Sequence, residues 1–429
     1  MLKALNEKIK NKNVLILGFG REGRSTLKRV LECGCAASVT ISDKRDVSDE
    51  LPTNVSSIAG NCYLDFLDDY DIVFKTPGIV LPKDASEYKC EITSETEIFI
   101  EKYKDRIIGI TGTKGKSTTS SFIYYALKNA GIDTVFAGNI GIPVFDICED
   151  INENTAIVVE LSCHQLEYLK TSPKRAVLLN IYEDHLDHYG TREKYALAKK
   201  HIYFNQTDKD ILYVNKETLK ECENVNSKVV LCDKSVLPFK SFETLRKTNF
   251  KGEHNLSNLS FAYNVCKEYG VTDESFIESV ENFETLSHRL EHVGPIDCVD
   301  YYDDSISTTV MSTINAILSV KNASVILIGG MERNIDYTEL LEFISESDLE
   351  YVICMYESGK RFYDAYELML KKDTAPIAIL TENLEEAVEK AKKKVKPGGA
   401  VLLSPAAASY GYFKNFEERG ERFKELIKK

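Results

Sequence analysis

Short apolar runs, each closing on glycine or a polar residue and followed by a longer mixed stretch, recur along the 429-residue chain. The first, Val14-Leu15-Ile16-Leu17, reads as a strand buried on both faces. Gly18-Phe19-Gly20-Arg21-Glu22-Gly23 follows and opens a helix, and a second strand, Ser38 to Ser42, stops at Asp43. A third run, Asp71-Ile72-Val73-Phe74, leads into the turn Thr76-Pro77-Gly78. Strand, glycine turn, helix, strand and acid form the outline of a dinucleotide-binding βαβ unit. The glycine pattern alone is weak evidence for a nicotinamide cofactor. The same glycines serve tight packing, or cradle the diphosphate of a nucleotide-linked substrate.

A second segment begins near Glu95, where strand Arg106 to Ile110 precedes a glycine- and lysine-rich loop and a helix spans Ser117 to Ala130. Ala156-Ile157-Val158-Val159 and Ala176-Val177-Leu178-Leu179 read as further buried parallel strands. A third segment starts around His288, with strands Ser324 to Ile328, Tyr351 to Cys354 and Ala400 to Leu403. Alternating strands and helices predict three α/β layers: a Rossmann-like N-terminal domain (1–94), a central mononucleotide-binding domain with a phosphate loop (95–286) and a C-terminal Rossmann-like domain (287–429). The run Lys390 to Lys396 reads as a solvated helix face.

Composition narrows the class. With 43% hydrophobic and 28% charged residues the chain is ordinary globular protein, and its net charge of -13 argues against nucleic acid or an anionic membrane as partner. The N-terminal residues lack the apolar stretch of a signal peptide, and no run approaches the length that spans a bilayer. The 11 cysteines include no CxxC pair, which suits reduced thiols in a cytoplasmic setting and disfavours zinc.

The chemistry concentrates in Ile110-Thr111-Gly112-Thr113-Lys114-Gly115-Lys116-Ser117-Thr118. Gly112 and Gly115 let backbone N–H groups approach phosphate oxygens, and the following helix N-terminus adds positive potential. Lys116 can reach the β- and γ-phosphates, with the Ser117 hydroxyl placed for Mg²⁺. Five residues rather than four separate Gly109 from Gly115, so the spacing departs from the standard phosphate loop. Glu160 and His185 follow the next two apolar strands, where open α/β sheets bind ligands, and can hold a divalent cation.

These segments, with Gly138-Asn139-Ile140-Gly141, Glu160-Leu161-Ser162, Asp184-His185-Leu186-Asp187, Gly252-Glu253-His254-Asn255-Leu256-Ser257-Asn258, Ser287-His288-Arg289 and Tyr302-Asp303-Asp304-Ser305, resemble the Mur ligases of peptidoglycan synthesis. The ordered set covers most of the chain. Within that family, Glu160 to Glu167 and Ser404-Pro405-Ala406-Ala407-Ala408-Ser409 are similar to the members adding glutamate to UDP-N-acetylmuramoyl-L-alanine. The resemblance implies an ATP-dependent, cytoplasmic, monomeric class of enzyme: ligases that work through an acyl phosphate with two Mg²⁺ ions.

Residue by residue, it implies that Lys116 grips the ATP phosphates with Gly112, Thr113, Lys114, Gly115, Ser117 and Thr118, and that Asn139 lies near the γ-phosphate. Ser117, Glu160 and His185 would organise Mg²⁺. Lys199 would be carbamylated by CO₂ into an oxygen donor, with Lys200 as the register alternative. Asn255 and Asn258 would meet adenine, and Arg289 and Asp304 the nucleotide from the C-terminal domain, which would close over the central one. The uridine substrate would take Gly20, Arg21, Glu22, Asp43, Lys44, Thr76, Pro77, Gly78, Asn139, Ser162 and Gln165. The amino acid would take Thr308, Arg333, Ser409, Tyr410 and Phe413.

One departure stands out. Where D-glutamate-adding members carry Asp-Ser-Lys-Ala-Thr, this chain has Asp304-Ser305-Ile306-Ser307-Thr308, and a second family lysine falls on Arg333. An arginine can clamp a carboxylate with two parallel hydrogen bonds, which a lysine cannot. D-glutamate is expected first, with L-glutamate the alternative. A folylpolyglutamate-type ligase is disfavoured by the domain that precedes the phosphate loop. A nicotinamide-dependent oxidoreductase, or a catalytically silent homologue, would leave Lys116, Glu160, His185 and Lys199 without work.

Overall fold

A computed structural model describes residues 1–139, 142–183, 186–239, 248, 250, 253–283, 287–320, 322–332, 335–369 and 375–429, the side chains of 186–187, 253–254, 311 and 315 excepted. The expectations for His185 and Arg333 lie outside the described residues. The chain forms two compact units, Met1–Phe283 and Glu284–Lys429.

The first unit holds two parallel sheets. One is built from β1 (Asn13–Leu17), β2 (Ser38–Asp43), β3 (Ser56–Ala59), β4 (Ile72–Lys75) and β5 (Glu91–Thr93), in the order β3-β2-β1-β4-β5. The other comprises β6 (Ile107–Thr111), β7 (Thr134–Gly138), β8 (Ala156–Glu160), β9 (Arg175–Leu178), β10 (Ile211–Val214) and β11 (Lys228–Leu231), in the order β11-β10-β9-β6-β8-β7. In both, the order reverses beside the first strand, so a crevice opens where neighbouring loops diverge at the strands' carboxyl ends. The glycine turn after β1 and the loop after β6 sit at these two places.

The sheets share a core. Ile16 and Phe74 from the first belong to one buried cluster with Ile107, Ile157 and Leu178 from the second. The helix Arg21–Cys33 ties them further, since buried Arg29 donates to the Phe145 carbonyl at 3.1 Å and pairs with Glu149 at 2.9 Å. The other face of the second sheet packs on the helix Lys116–Asn129, whose Phe122 is 1% exposed. Its ring meets Phe250, Phe276 and Phe283 edge-on, with centroids at 5.0, 5.4 and 5.2 Å. Edge-to-face contacts of this kind add to the area term.

The second unit has one mixed sheet of β12 (Glu291–Ile296), β13 (Val299–Asp303), β14 (Ala323–Ile328), β15 (Tyr351–Met355), β16 (Ile377–Thr381) and β17 (Ala400–Leu403), in the order β12-β13-β17-β14-β15-β16. Among the described residues of this sheet, only the β12–β13 strand pairing is antiparallel. All 11 cysteines are unbridged, and no described helix is long and apolar enough to cross a membrane.

Replacing Phe122 with alanine removes three ring contacts at once. Its expected cost is about 3–5 kcal/mol of unfolding free energy, read from denaturant unfolding by circular dichroism. A loss below about 1 kcal/mol would mean that the helix is not anchored through this ring.

Candidate active site

β6 ends at Thr111, and the chain turns through Gly112–Gly115 into the helix that starts at Lys116. Gly112 lies so near the neighbouring strand that a Cβ there would sit 2.9 Å from Leu179 Cβ. Gly115 has φ +85° and faces Asn258, whose Oδ1 would lie 2.4 Å from an added Cβ. Asn258 in turn donates to Asn255 Oδ1 at 3.1 Å, so the helix Glu253–Glu268 brings both asparagines to the loop.

The loop gathers positive charge. Lys116 Nζ donates to the carbonyls of Gly112 at 2.9 Å and Thr113 at 3.2 Å. Lys199, on the helix Arg192–Phe204, is 1% exposed and donates to the same Gly112 carbonyl at 3.0 Å. Its ammonium lies 4.7 Å from the centre of the Tyr195 ring, a cation–π contact. Thr113 Oγ1 joins the Tyr195 hydroxyl at 3.0 Å and accepts the Tyr182 N–H at 2.9 Å. Lys200 points elsewhere and pairs with Glu223 at 3.5 Å.

Glu160 closes β8, 1% exposed. Asn139 Nδ2 donates to one carboxylate oxygen at 2.8 Å and Ser120 Oγ to the other at 3.3 Å, while the Asn139 N–H donates to the Glu160 carbonyl at 2.9 Å. Ser117, in the first turn of the helix, is buried. A carboxylate and a hydroxyl are hard oxygen donors, which suit Mg²⁺. Ser120, Asn180 and Tyr195 were not singled out from sequence. Asn180 alone carried a local signal, standing one residue past the apolar run 176–179.

At the first sheet, the glycine turn is held by Asp43. Its carboxylate accepts from the Phe19 N–H at 2.7 Å and the Arg45 N–H at 2.8 Å. Burial works against the charge, but these bonds and the Arg45 guanidinium hold the carboxyl below its ordinary range. Thr76 donates to the Leu17 carbonyl at 2.8 Å, which seats the Thr76-Pro77-Gly78 turn beside the glycine turn. Gly20, Arg21, Lys44 and Gly78 are exposed around it. Gln165 links the two sheets: it accepts from the Ser162 N–H at 2.9 Å and donates to Glu22 at 2.8 Å. Burial pushes the Glu22 carboxyl up to about 7, against that hydrogen bond and the charge of Lys75.

In the second unit, Asp304 is 3% exposed, accepts from Ser404 Oγ at 2.7 Å and from the Leu290 N–H at 3.0 Å, and feels the Arg289 charge. Thr308 is half-buried, Ser409 buried and Tyr410 exposed, and the Phe413 N–H donates to the Ser409 carbonyl at 3.0 Å.

The geometry defines a class: an α/β protein with a glycine- and lysine-bearing loop heading a helix, two inward lysines and a buried carboxylate alongside. Residues 110–235 match the Mur ligase middle domain. The UDP-N-acetylmuramoylalanine--D-glutamate ligase of Clostridium botulinum (strain Langeland) is 32% identical, over 98% of this chain and 97% of the relative, and that of Clostridium kluyveri (strain ATCC 8527) is 33% identical over the same shares. Among solved structures, the UDP-N-acetylmuramate-alanine ligase MurC of Thermotoga maritima aligns with TM-score 0.60 at 18% identity, covering 97% of this chain and 99% of that one. The chain belongs to the Mur ligase family.

Burial pushes Asp304 up to about 6 against hydrogen bonds from Ser307 and Ser404. Because the folded value lies above the unfolded 3.8, this group's contribution is fully present below about pH 4 and is lost as pH rises through 6, a change of about 3 kcal/mol. Asp304→Asn has no such titration. The stability advantage of wild type over the variant should therefore shrink by about 2–3 kcal/mol between pH 4 and pH 7 in paired unfolding curves. An advantage independent of pH would contradict the burial argument.

Proposed function

We propose that this protein is an ATP-dependent ligase that joins D-glutamate to UDP-N-acetylmuramoyl-L-alanine, acting as a cytoplasmic monomer in peptidoglycan precursor synthesis. The observation that carries the reading is the convergence of Lys116 and Lys199 on the Gly112 carbonyl beside the buried Glu160 carboxylate. Its support from kinship is the near full-length match to relatives named for that reaction. The sheets correspond on this reading to three working domains, 1–94 for the uridine substrate, 95–286 for ATP and 287–429 for the amino acid.

A carboxylate is a poor acyl donor, so the substrate carboxylate oxygen first attacks the γ-phosphorus of ATP and ADP leaves. The neutral glutamate amine then attacks the acyl carbon, the C–O bond to phosphate breaks, and the nitrogen's surplus proton passes to solvent. Negative charge grows on phosphate oxygens in the first step and on the acyl oxygen in the second. Lys116 and the helix N-terminus stabilise the phosphates by preorganised electrostatics. Asn139, bonded to Glu160, keeps that carboxylate oriented. Ser117, Glu160, His185 and a carbamylated Lys199 would hold Mg²⁺, which when bound neutralises phosphate charge and polarises the phosphoryl oxygens. Two ammonium groups on one buried carbonyl repel each other, and carbamylation of Lys199 by CO₂ would replace one of them with an anion.

The remaining assignments follow motif position. The glycine turn with Glu22, Asp43, Lys44 and Thr76 to Gly78 takes the uridine diphosphate sugar, with Ser162 and Gln165. Asn255, Asn258, Arg289 and Asp304 go to the nucleotide. Thr308, Arg333, Ser409, Tyr410 and Phe413 go to the amino acid. Ile306, where D-glutamate-adding members carry lysine, gives weight to L-glutamate as a second reading. ADP release with UDP-N-acetylmuramoyl-L-alanine and each enantiomer separates the two, and turnover with L-glutamate alone would overturn the first.

Lys116→Ala should lower ADP release by at least about a thousandfold. Near-normal turnover would refute the phosphate-loop assignment. Lys199→Ala should also be inactive and recover partly with a short carboxylic acid, which would replace the missing oxygen donor. An unimpaired variant would move the carbamate to Lys200 or remove it.

A further inference from the structure

The loop between Gly112 and Gly115 carries two residues, Thr113 and Lys114, with a glycine on either side. Gly115, at φ +85°, leaves the adjoining peptide few steric restraints of its own. Something else must fix it before an anion arrives.

Asn180 stands in position to do so. It lies just beyond β9, and its backbone carbonyl accepts the Thr113 N–H at 3.1 Å. Its side chain then takes both polar groups of Lys114. Oδ1 accepts the Lys114 N–H at 2.9 Å, and Nδ2 donates to the Lys114 carbonyl at 3.0 Å. A primary amide offers a donor and an acceptor side by side, so these partners also fix which way it faces. Thr113 is fixed from the same strand end, through its hydroxyl and the Tyr182 backbone.

The consequence reaches the two lysines. With 113 and 114 pinned, the Gly112 and Thr113 carbonyls present themselves to Lys116, and Gly112 also to Lys199. A flip of the Lys114 peptide would instead aim a carbonyl into the anion-binding mouth.

We propose that Asn180 is a positioning residue for ATP: its side-chain amide clamps the Lys114 peptide and presets the phosphate loop. It touches no reacting atom, and the proposal rests on the loop assignment above. The clamp acts on nucleotide binding and leaves the uridine substrate's site alone.

The test is steady-state ADP release by the full chain with three variants. Asn180→Ala should raise the ATP KM about tenfold, the sum expected for two exposed-edge hydrogen bonds, with the KM for UDP-N-acetylmuramoyl-L-alanine changed less than about twofold. Asn180→Asp keeps an acceptor for the Lys114 N–H, loses the donor to its carbonyl and adds a negative charge beside the phosphates, so it should bind ATP more weakly than alanine does. Asn180→Gln carries the same amide on a longer stem and should recover part of the loss. An ATP KM within about twofold of wild type in the alanine variant, or an aspartate variant no worse than alanine, overturns the clamp. So does a parallel rise in every KM with a lowered unfolding temperature, which marks a merely structural role. If wild type itself releases no ADP with these substrates, the ligase reading fails. Calorimetric titration with ADP then decides the clamp by itself, since the alanine variant must still bind ADP more weakly.

Discussion

The site depends on one carbonyl. Gly112 offers its oxygen to both Lys116 and Lys199, and it can do so because no side chain separates the loop from the neighbouring strand. One lysine comes from the helix that the loop begins, the other from a helix some eighty residues later. Their meeting needs β6 and β9 to be neighbours, which their parallel pairing secures. The loop, the sheet order and the charge of the site are therefore a single constraint.

The second consequence concerns the join between the first two sheets. Their cores are continuous, and Gln165 and Arg29 bind across them. On the proposed reading, a long substrate that starts on one glycine turn and ends at the other needs those turns at a fixed separation. Shared packing provides it, whereas a linker would leave the separation to chance. Lys75, buried at the end of β4 and 3.7 Å from Glu167, belongs to the same join, and burial pulls its ammonium below the ordinary lysine range despite Glu167 and Glu22.

The sequence made most central strands legible and left every sheet margin dark. β1, β4, β6, β8 and β17 are buried at nearly every position and show as unbroken apolar runs. The six edge strands, β3, β5, β7, β11, β12 and β16, went unread, and so did the interior strands β10 and β13. An edge such as β3 or β11 faces water and mixes polar residues into its pattern, β13 carries Asp300 and Asp303 beside its tyrosines, and β7 and β10 are short runs despite their burial. The site divides along similar lines. Lys116 and Ser117 were visible because the glycine-rich loop and its helix are contiguous. Lys199 and the asparagines of 255–258 entered through family likeness. Ser120 was found only by distance, and the role of Asn180, though it stands just past an apolar run, came from its contact with Lys114; each meets a partner forty or more residues away.

The central claim is that the substrate's carboxylate is phosphorylated before the amine attacks. Labelling both oxygens of that carboxylate in UDP-N-acetylmuramoyl-L-alanine with oxygen-18 and following the released phosphate by phosphorus-31 NMR tests it directly. The account predicts one labelled oxygen in each phosphate, carried over when the acyl C–O bond breaks. Unlabelled phosphate alongside amide product would contradict it.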